Sequence, residues 1–183
     1  MVQQAVLDAC VLVPVTLCDV LLELAEASLF EPLWSAPILA ETKRALTEKR
    51  GIAEDRAEYR IEAMRVAFPH AMLTGFDNLI PQMRNHPKDR HVLASAVHAK
   101  CRVIVTANLA DFPEAVLAPY GVKAVHPDDF LLALLDEDAT ATWEAVDRKR
   151  SAYRRPPQTM AEFCGILGKT VPRFAAKLLV VQK

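Results

Sequence analysis

Asp89, Asn108 and Asp111 lie close together in the sequence, and each adjoins a predicted structural element. Their oxygen atoms are donors that hard divalent cations prefer. The apolar residues over 87–100 recur at helical spacing, which places Asp89 in the first turn of a helix. Asn108 and Asp111 follow a short β-branched strand over 102–106. Because ligands of open parallel sheets bind outside the carboxyl ends of the strands, we expect chemistry at this edge.

A purely structural role is also open for each of these acids. Asp89 near a helix N-terminus would stabilise the helix dipole by roughly 0.3–1 kcal/mol. Asp111, with Glu114 three residues later, fits the spacing of a capping box. The helical spacing over 87–100 also predicts an exposed stripe of His91, Ser95 and His98. A catalytic interpretation of the acids is stronger if further carboxylates converge on them.

Two further acids are candidates for the same site. Asp8 ends an apolar strand over 5–7 and is surrounded by residues that favour burial, where an unpaired carboxylate would be costly. A functional role for Asp8 is therefore favoured over a structural one. Glu41 lies on a predicted helix that starts after Ser35 and runs to about residue 49. The alternative for Glu41 is a surface ion pair with one of the nearby basic residues Lys43, Arg44 and Lys49.

Convergence of these side chains would create a site for a divalent cation. Two carboxylates about 4 Å apart repel by roughly 4 kcal/mol at an effective dielectric of about 20, so several of them need a positive partner. Oxygen ligands select Mg²⁺ or Mn²⁺. Such a site at an open sheet edge suits hydrolysis of phosphodiester bonds. The four acids are Asp8, Glu41, Asp89 and Asp111.

Strands and helices alternate along most of the chain, which predicts an α/β fold with a central parallel sheet flanked by helices. The predicted strands cover 5–7, 71–74, 102–106 and 122–125. Beyond residue 138 only helices are expected, over about 140–153, from 159 and over about 171–180. The sequence therefore predicts one domain over 1–138 and a small helical extension over 139–183. The extension has a weak helix-turn-helix pattern with Gly168 at the turn, but a helical cap or a protein-binding surface is favoured over a DNA reader.

Composition limits the other function classes. The chain has 183 residues, 52% of them hydrophobic and 25% charged, with a net charge of −1, so no overall basic field indicates nucleic acid. Four cysteines without a C-x-x-C pair predict reduced core thiols, with neither a disulfide nor a zinc site. Neither a signal peptide nor an apolar run of about 20 residues is visible, which predicts a cytoplasmic protein with no membrane segment.

Four motifs together resemble a known family. LDACVLVP, the Glu of SAPILAETKRAL, DRHVLASAV followed by VIVTANLADFP, and HPDDFLLALL are similar to PIN domain ribonucleases. The similar branch is that of the VapC-like toxins, which carry a C-terminal helical extension. The resemblance covers nearly the whole chain, and the ordered set of motifs is more specific than any one of them.

The resemblance implies a three-layer fold and Mg²⁺-dependent (or Mn²⁺-dependent) cleavage of RNA by a toxin that a cognate antitoxin holds inactive. It implies catalytic roles for all four acids, metal binding by Asp8, Asp89 and Asp111, and supporting roles for Thr106 and Asn108. A homodimer is also left open. Many PIN domains have a third Asp where this chain has Asn108, and a Ser or Thr where it has Ala9-Cys10. The number of metal ions therefore stays open.

Two other classes remain as alternatives. A receiver domain or a haloacid-dehalogenase-like phosphatase would also use an Asp after the first strand. The phosphatase needs a second Asp two residues later, where Cys10 stands, and neither class explains Glu41. The third interpretation is a PIN-like fold that binds a partner without catalysis.

Overall fold

The structure is a computed structural model that describes residues 2–154 and 156–181. The chain forms two compact units. One unit contains residues 4–13 and 31–125, including every strand of the sheet. The other contains residues 14–30 and the described part of the chain from 126 onward, together with the described residues before Gln4.

A five-stranded sheet forms the centre of the first unit. Its strands, in chain order, are β1 (Gln4–Leu7), β2 (Glu31–Ser35), β3 (Met72–Leu73), β4 (Val103–Val105) and β5 (Lys123–Val125). They pair in the order β3-β2-β1-β4-β5, and every pair is parallel. The register of Leu7 with Val105 brings the carboxyl ends of β1 and β4 together. The residues that follow these two strands therefore meet at one edge of the sheet.

Helices connect the strands of this unit. They are α1 (Ala9–Leu12), α3 (Ala36–Arg50), α4 (Glu54–Ala67), α5 (Arg90–His98) and α6 (Glu114–Leu117). Helix α3 packs against α1 and α4, and it ends where Gly51 adopts the left-handed conformation with φ of 64°. There are also two short 3-10 turns. Pro87–Asp89 precedes α5, and Leu109–Asp111 follows β4. These turns carry two of the predicted site residues.

The second unit is helical. Its helices are α2 (Val15–Glu26), α7 (Pro127–Glu137), α8 (Ala139–Ala152), α9 (Met160–Leu167) and α10 (Pro172–Val181). Helix α2 packs on α8, and α10 packs on α7 and α9. Buried Asp128 of α7 accepts the backbone N–H of Phe174, 2.8 Å away, in the first turn of α10. Thr159 and Glu162 form a capping box at the start of α9.

The predicted α/β class, with a parallel sheet flanked by helices and a helical C-terminal region, is confirmed. The sequence interpretation missed β2, because Pro32 within Glu31–Ser35 argues against a strand inside a sheet. It also expected an apolar loop over 9–14, where the structure has α1 over Ala9–Leu12. The boundary at residue 138 stays a prediction. Within the described residues, no helix has both the length and the apolar character needed to cross a membrane.

Candidate functional site

Asp8 follows β1 and is almost completely buried, with 3% of its surface exposed. Its backbone N–H donates to the carbonyl of Val105, 3.1 Å away, which extends the β1–β4 pairing by one residue. Its carboxylate Oδ2 accepts two side-chain hydrogen bonds, from Thr106 Oγ1 at 2.7 Å and from Cys10 Sγ at 3.1 Å. Neutral donors therefore orient this buried carboxylate without cancelling its charge.

Cys10 was missed as a site residue by the sequence interpretation. Its Sγ also accepts the backbone N–H of Ala107 at 3.2 Å and lies 3.3 Å from Thr106 Oγ1. Burial, and next the charge of Asp8, raise the pKa of Cys10 to about 12, so the group is a protonated thiol at neutral pH. The thiol thus acts as a hydrogen-bond donor where many PIN domains have a hydroxyl. Its position two residues after Asp8 is the sequence feature that could have identified Cys10 as a site residue.

Thr106 and Asn108 order the turn after β4. Buried Thr106 donates from Oγ1 to Asp8 and accepts the backbone N–H of Asn108 at the same oxygen, 3.0 Å away. The carbonyl of Asn108 accepts the N–H of Asp111, also at 3.0 Å, which closes the 3-10 turn. The supporting position expected for Thr106 agrees with these bonds. A role for the exposed side chain of Asn108 stays a prediction.

Asp89 lies at the junction of the 3-10 turn Pro87–Asp89 and α5, with 8% of its surface exposed. It occupies the N-cap position, where its charge is favourable to the helix dipole as in the structural alternative, but its side chain makes no capping hydrogen bond. Burial raises the pKa of Asp89 most, and the charges of Asp8, Asp111 and Glu41, in that order, raise it further. His86 lowers the pKa of Asp89. The four predicted acids therefore share one electrostatic environment.

Asp111 and His86 complete the group around Asp89. Helix α6 begins after Pro113 with no side-chain cap, so the capping box expected for Asp111 and Glu114 is wrong. The backbone N–H of His86 donates to the carbonyl of Asp111 at 3.3 Å. One ligand atom each of His86, Asp89 and Asp111 lies within 4.8 Å of the other two. The sequence interpretation did not identify His86, because only the folded backbone brings it beside Asp111.

Glu41 lies on α3 without the lysine partner that the alternative interpretation expected. Lys43 instead contacts Glu54 at 3.2 Å and Glu58 at 2.6 Å. Among the described residues, the basic atom beside Glu41 is Nε2 of His91, which lies 3.9 Å from Glu41 Oε2. This nitrogen is buried and makes no hydrogen bond. This distance is too long for a hydrogen bond, so Glu41 stays available to other partners.

The exposed stripe predicted on α5 is partly wrong. Ser95 is completely buried and donates to the carbonyl of Val92 at 2.8 Å. The side chain of His91 is only 15% exposed, whereas His98 is exposed as expected. The polar side chains Ser95 and His91 lie inward because α5 is enclosed on more sides than a surface helix.

The donor set fits a divalent cation. The charges of Asp8, Asp111 and Glu41 all act on Asp89, which is buried and makes no capping hydrogen bond. Clustered carboxylates without a compensating cation are electrostatically unfavourable. Carboxylate oxygen, with an imidazole nitrogen close by, is a donor set for hard and intermediate divalent ions. The metal-binding and catalytic roles of the individual residues stay predictions.

Comparison with known proteins agrees with this architecture. The family model of the PIN domain matches residues 4–110, and that of the "VapC50 C-terminal domain" matches residues 127–180. A protein of Mycobacterium tuberculosis (strain ATCC 25618 / H37Rv), named "Putative ribonuclease VapC50", is 50% identical over 107 residues. The match covers 58% of this chain and 63% of that protein. No solved structure matches.

The PIN domain match includes β1, β2, β3 and β4 and three of the four acids, Asp8, Glu41 and Asp89. It ends one residue before Asp111, which the structure places beside Asp89. The second match covers α7 to α10 of the helical unit. The PIN domain match alone spans more than half of the chain. The chain therefore belongs to the PIN domain family.

Proposed function

We propose that this protein is a metal-dependent endoribonuclease that hydrolyses RNA phosphodiester bonds in the cytoplasm, as the toxin of a toxin–antitoxin pair. The observation that carries the proposal is the cluster of possible metal ligands, in which one ligand atom each of His86, Asp89 and Asp111 lies within 4.8 Å of the other two. The charges of Asp8 and Glu41 also act on Asp89, which places both acids near this cluster. Membership of the PIN domain family and the ribonuclease name of the relative support the same chemistry. We take Mg²⁺ or Mn²⁺ as the cofactor.

In this proposal Asp8, Asp89 and Asp111 hold the cation through carboxylate oxygens. A divalent cation at such a site polarises the phosphoryl group and lowers the pKa of a bound water. Thr106 and Cys10 keep the Asp8 carboxylate in one orientation through their hydrogen bonds to Oδ2.

Glu41 has a different task in the proposed reaction. Its side chain is 35% exposed, so water and substrate have access to it. We assign Glu41 to accepting a proton from the attacking water at a carboxylate oxygen. The buried Nε2 of His91 lies 3.9 Å from that carboxylate and makes no hydrogen bond to it.

The test is cleavage of single-stranded RNA by the purified full-length protein with Mg²⁺ or Mn²⁺. We expect cleavage that EDTA abolishes and that Asp8→Asn reduces by at least ~100-fold, as expected when several kcal/mol of transition-state stabilisation are lost. Glu62→Gln is the matched control, since exposed Glu62 on α4 loses the same charge away from the site. Cleavage that persists in EDTA or is unchanged in Asp8→Asn would overturn the proposal.

The same assay separates the alternatives. A protein that retains RNA on a filter without cutting it, with either ion, behaves as a binding module. A protein that forms a labile phosphorylated aspartate, or that hydrolyses p-nitrophenyl phosphate but not RNA, belongs to the phosphotransfer class. Both results count against the ribonuclease proposal.

A further inference from the structure

We propose that His86 is a nitrogen ligand in the cation site and makes the site prefer Mn²⁺ over Mg²⁺. The inference rests on the cation of the proposed function and adds a ligand, and through it an ion preference. His86, Asp89 and Asp111 each offer one atom to the same small space. Because His86 precedes Pro87 in the turn that leads into α5, the imidazole belongs to the same segment as Asp89.

The distances suit ligands of one ion. His86 Nδ1 lies 3.4 Å from Asp89 Oδ2, and the ligand atoms of His86, Asp89 and Asp111 all lie within 4.8 Å of one another. Around an octahedral ion with bonds of about 2.1 Å, adjacent ligand atoms are about 3 Å apart and opposite ones about 4 Å apart. Side-chain shifts of well under 1 Å would therefore bring all three atoms to bonding distance of one ion. Shifts of this size are within the thermal motion of a side chain.

An ordinary ion pair between His86 and Asp89 explains the arrangement less well. A charge-assisted N–H···O bond is typically about 2.7–2.9 Å long, whereas this contact is 3.4 Å. The His86 side chain is 45% exposed, and exposed ion pairs contribute little to stability. The side chain of Asp89, by contrast, is only 11% exposed and makes no capping hydrogen bond at the N-terminus of α5. A buried carboxylate in this state lacks a partner that a cation would supply.

The backbone holds the three ligands at this spacing before any ion binds. The N–H of His86 donates to the carbonyl of Asp111 at 3.3 Å, and the N–H of Asp89 donates to the carbonyl of His86 at 2.9 Å. These bonds join the turn before α5 to the turn after β4. A site whose ligands are already placed loses less conformational entropy on binding. The main chain of His86 is therefore held beside Asp111 and Asp89 before an ion binds.

The nitrogen atom determines the ion preference. Mg²⁺ is bound almost entirely through oxygen, whereas imidazole favours transition ions. Mn²⁺ accepts carboxylate oxygen and imidazole nitrogen together, so His86 should strengthen Mn²⁺ binding while adding little to Mg²⁺ binding. Replacement of His86 by Gln leaves the carboxylates in place and should abolish most of this difference.

The test measures binding and not activity. Mn²⁺ and Mg²⁺ affinities of the full-length protein are determined by calorimetry, and electron spin echo envelope modulation of bound Mn²⁺ detects a directly bonded nitrogen. We expect tighter binding of Mn²⁺ than of Mg²⁺ and a nitrogen signal in the wild type. His86→Gln should lose the signal and lower the Mn²⁺/Mg²⁺ affinity ratio by roughly 10-fold or more. The control His70→Gln, at an exposed histidine elsewhere in the same unit, should change neither.

Each contrary result has a distinct meaning. Bound Mn²⁺ without a nitrogen signal in the wild type overturns the inference and leaves the proposed ribonuclease standing. A signal that survives in His86→Gln but disappears in His91→Gln assigns the nitrogen to the histidine beside Glu41, which also overturns it. Absence of any Mn²⁺ or Mg²⁺ binding overturns both the inference and the proposed function.

Discussion

Replacement of Asp89 by Asn tests whether the carboxylate cluster is a source of instability without metal. Asp89 and Asp111 have oxygens at most 4.8 Å apart. Two unit charges at that separation repel by about 1 kcal/mol in water and by about 3 kcal/mol at an effective dielectric of ~20. Asp89→Asn keeps the side-chain shape and removes this repulsion. We therefore expect the metal-free variant to be more stable than the wild type by about 1–3 kcal/mol near neutral pH.

The pH dependence has a definite sign. Burial and the neighbouring acids raise the pKa of Asp89, so the folded protein binds this proton more tightly than the unfolded chain does. The stabilising effect of protonation is complete below the unfolded pKa and is lost as the pH rises through the folded pKa. The advantage of Asp89→Asn should therefore be largest near neutral pH and disappear at about pH 3 and below, where the carboxyl is mostly protonated in both states.

Thermal unfolding in EDTA, followed by circular dichroism, measures the effect. A change of 1 kcal/mol shifts the melting temperature by roughly 2–4 °C in a chain of this size. Saturating Mn²⁺ or Mg²⁺, at about 100 times its dissociation constant, should stabilise the wild type by about 2.7 kcal/mol and the variant by less. The stability advantage of the variant should then shrink, by up to about 2.7 kcal/mol, between the metal-free and the metal-loaded proteins.

Glu62→Gln is the control, because it removes one exposed negative charge outside the cluster. Equal stabilisation by Glu62→Gln and Asp89→Asn would show that general charge, and not the cluster, is responsible. A metal-free Asp89→Asn variant that is less stable than the wild type at neutral pH would refute the reasoning about repulsion.

Two further predictions concern the thiol and the partner. Because the pKa of Cys10 is raised from 9.0 to about 12, its contribution to stability should decline as the pH rises across that interval. Iodoacetamide should modify Cys10 far more slowly in the folded protein than in urea at about pH 8, and rapid modification of folded protein would contradict this. If an antitoxin inserts an Arg among the acids, added Mg²⁺ should weaken the complex at fixed ionic strength. An affinity indifferent to Mg²⁺ would indicate that the antitoxin binds elsewhere.

The sequence was sufficient to predict that Asp8, Asn108 and Asp111 lie at one edge of the sheet, since that depends on a simple topological rule. Asp8 was placed at a strand end, and Asn108 and Asp111 just after another, from β-branched runs that stop at polar residues. Parallel strands have their carboxyl ends at one edge, so such residues converge even when β2 goes unrecognised. The strand that was missed contributes no acid to the site, and its omission did not change the predicted cluster.

The partners of the acids could not be predicted, because long-range backbone contacts place them. His86 meets Asp111 through a bond between two turns that no local pattern encodes. The lysine expected beside Glu41 bonds instead to two glutamates of α4, a choice that depends on how α3 and α4 pack. Similarly, the capping box at Asp111 has the right spacing but fails because the helix begins two residues later, after Pro113.

The hydrogen-bond donors to Asp8 orient its carboxylate but do not neutralise its charge. A Lys or Arg bonded to Asp8 would fix the carboxylate but would also supply the positive charge that a metal ion must provide. Thr106 and Cys10 fix the same oxygen with neutral groups, and the pKa of about 12 keeps the thiol protonated at any pH near neutrality. These two donors therefore orient the Asp8 carboxylate without adding a positive charge to the site. Substitution of Cys10 by Ser preserves this arrangement, whereas Lys at either position would remove the charge available for a cation.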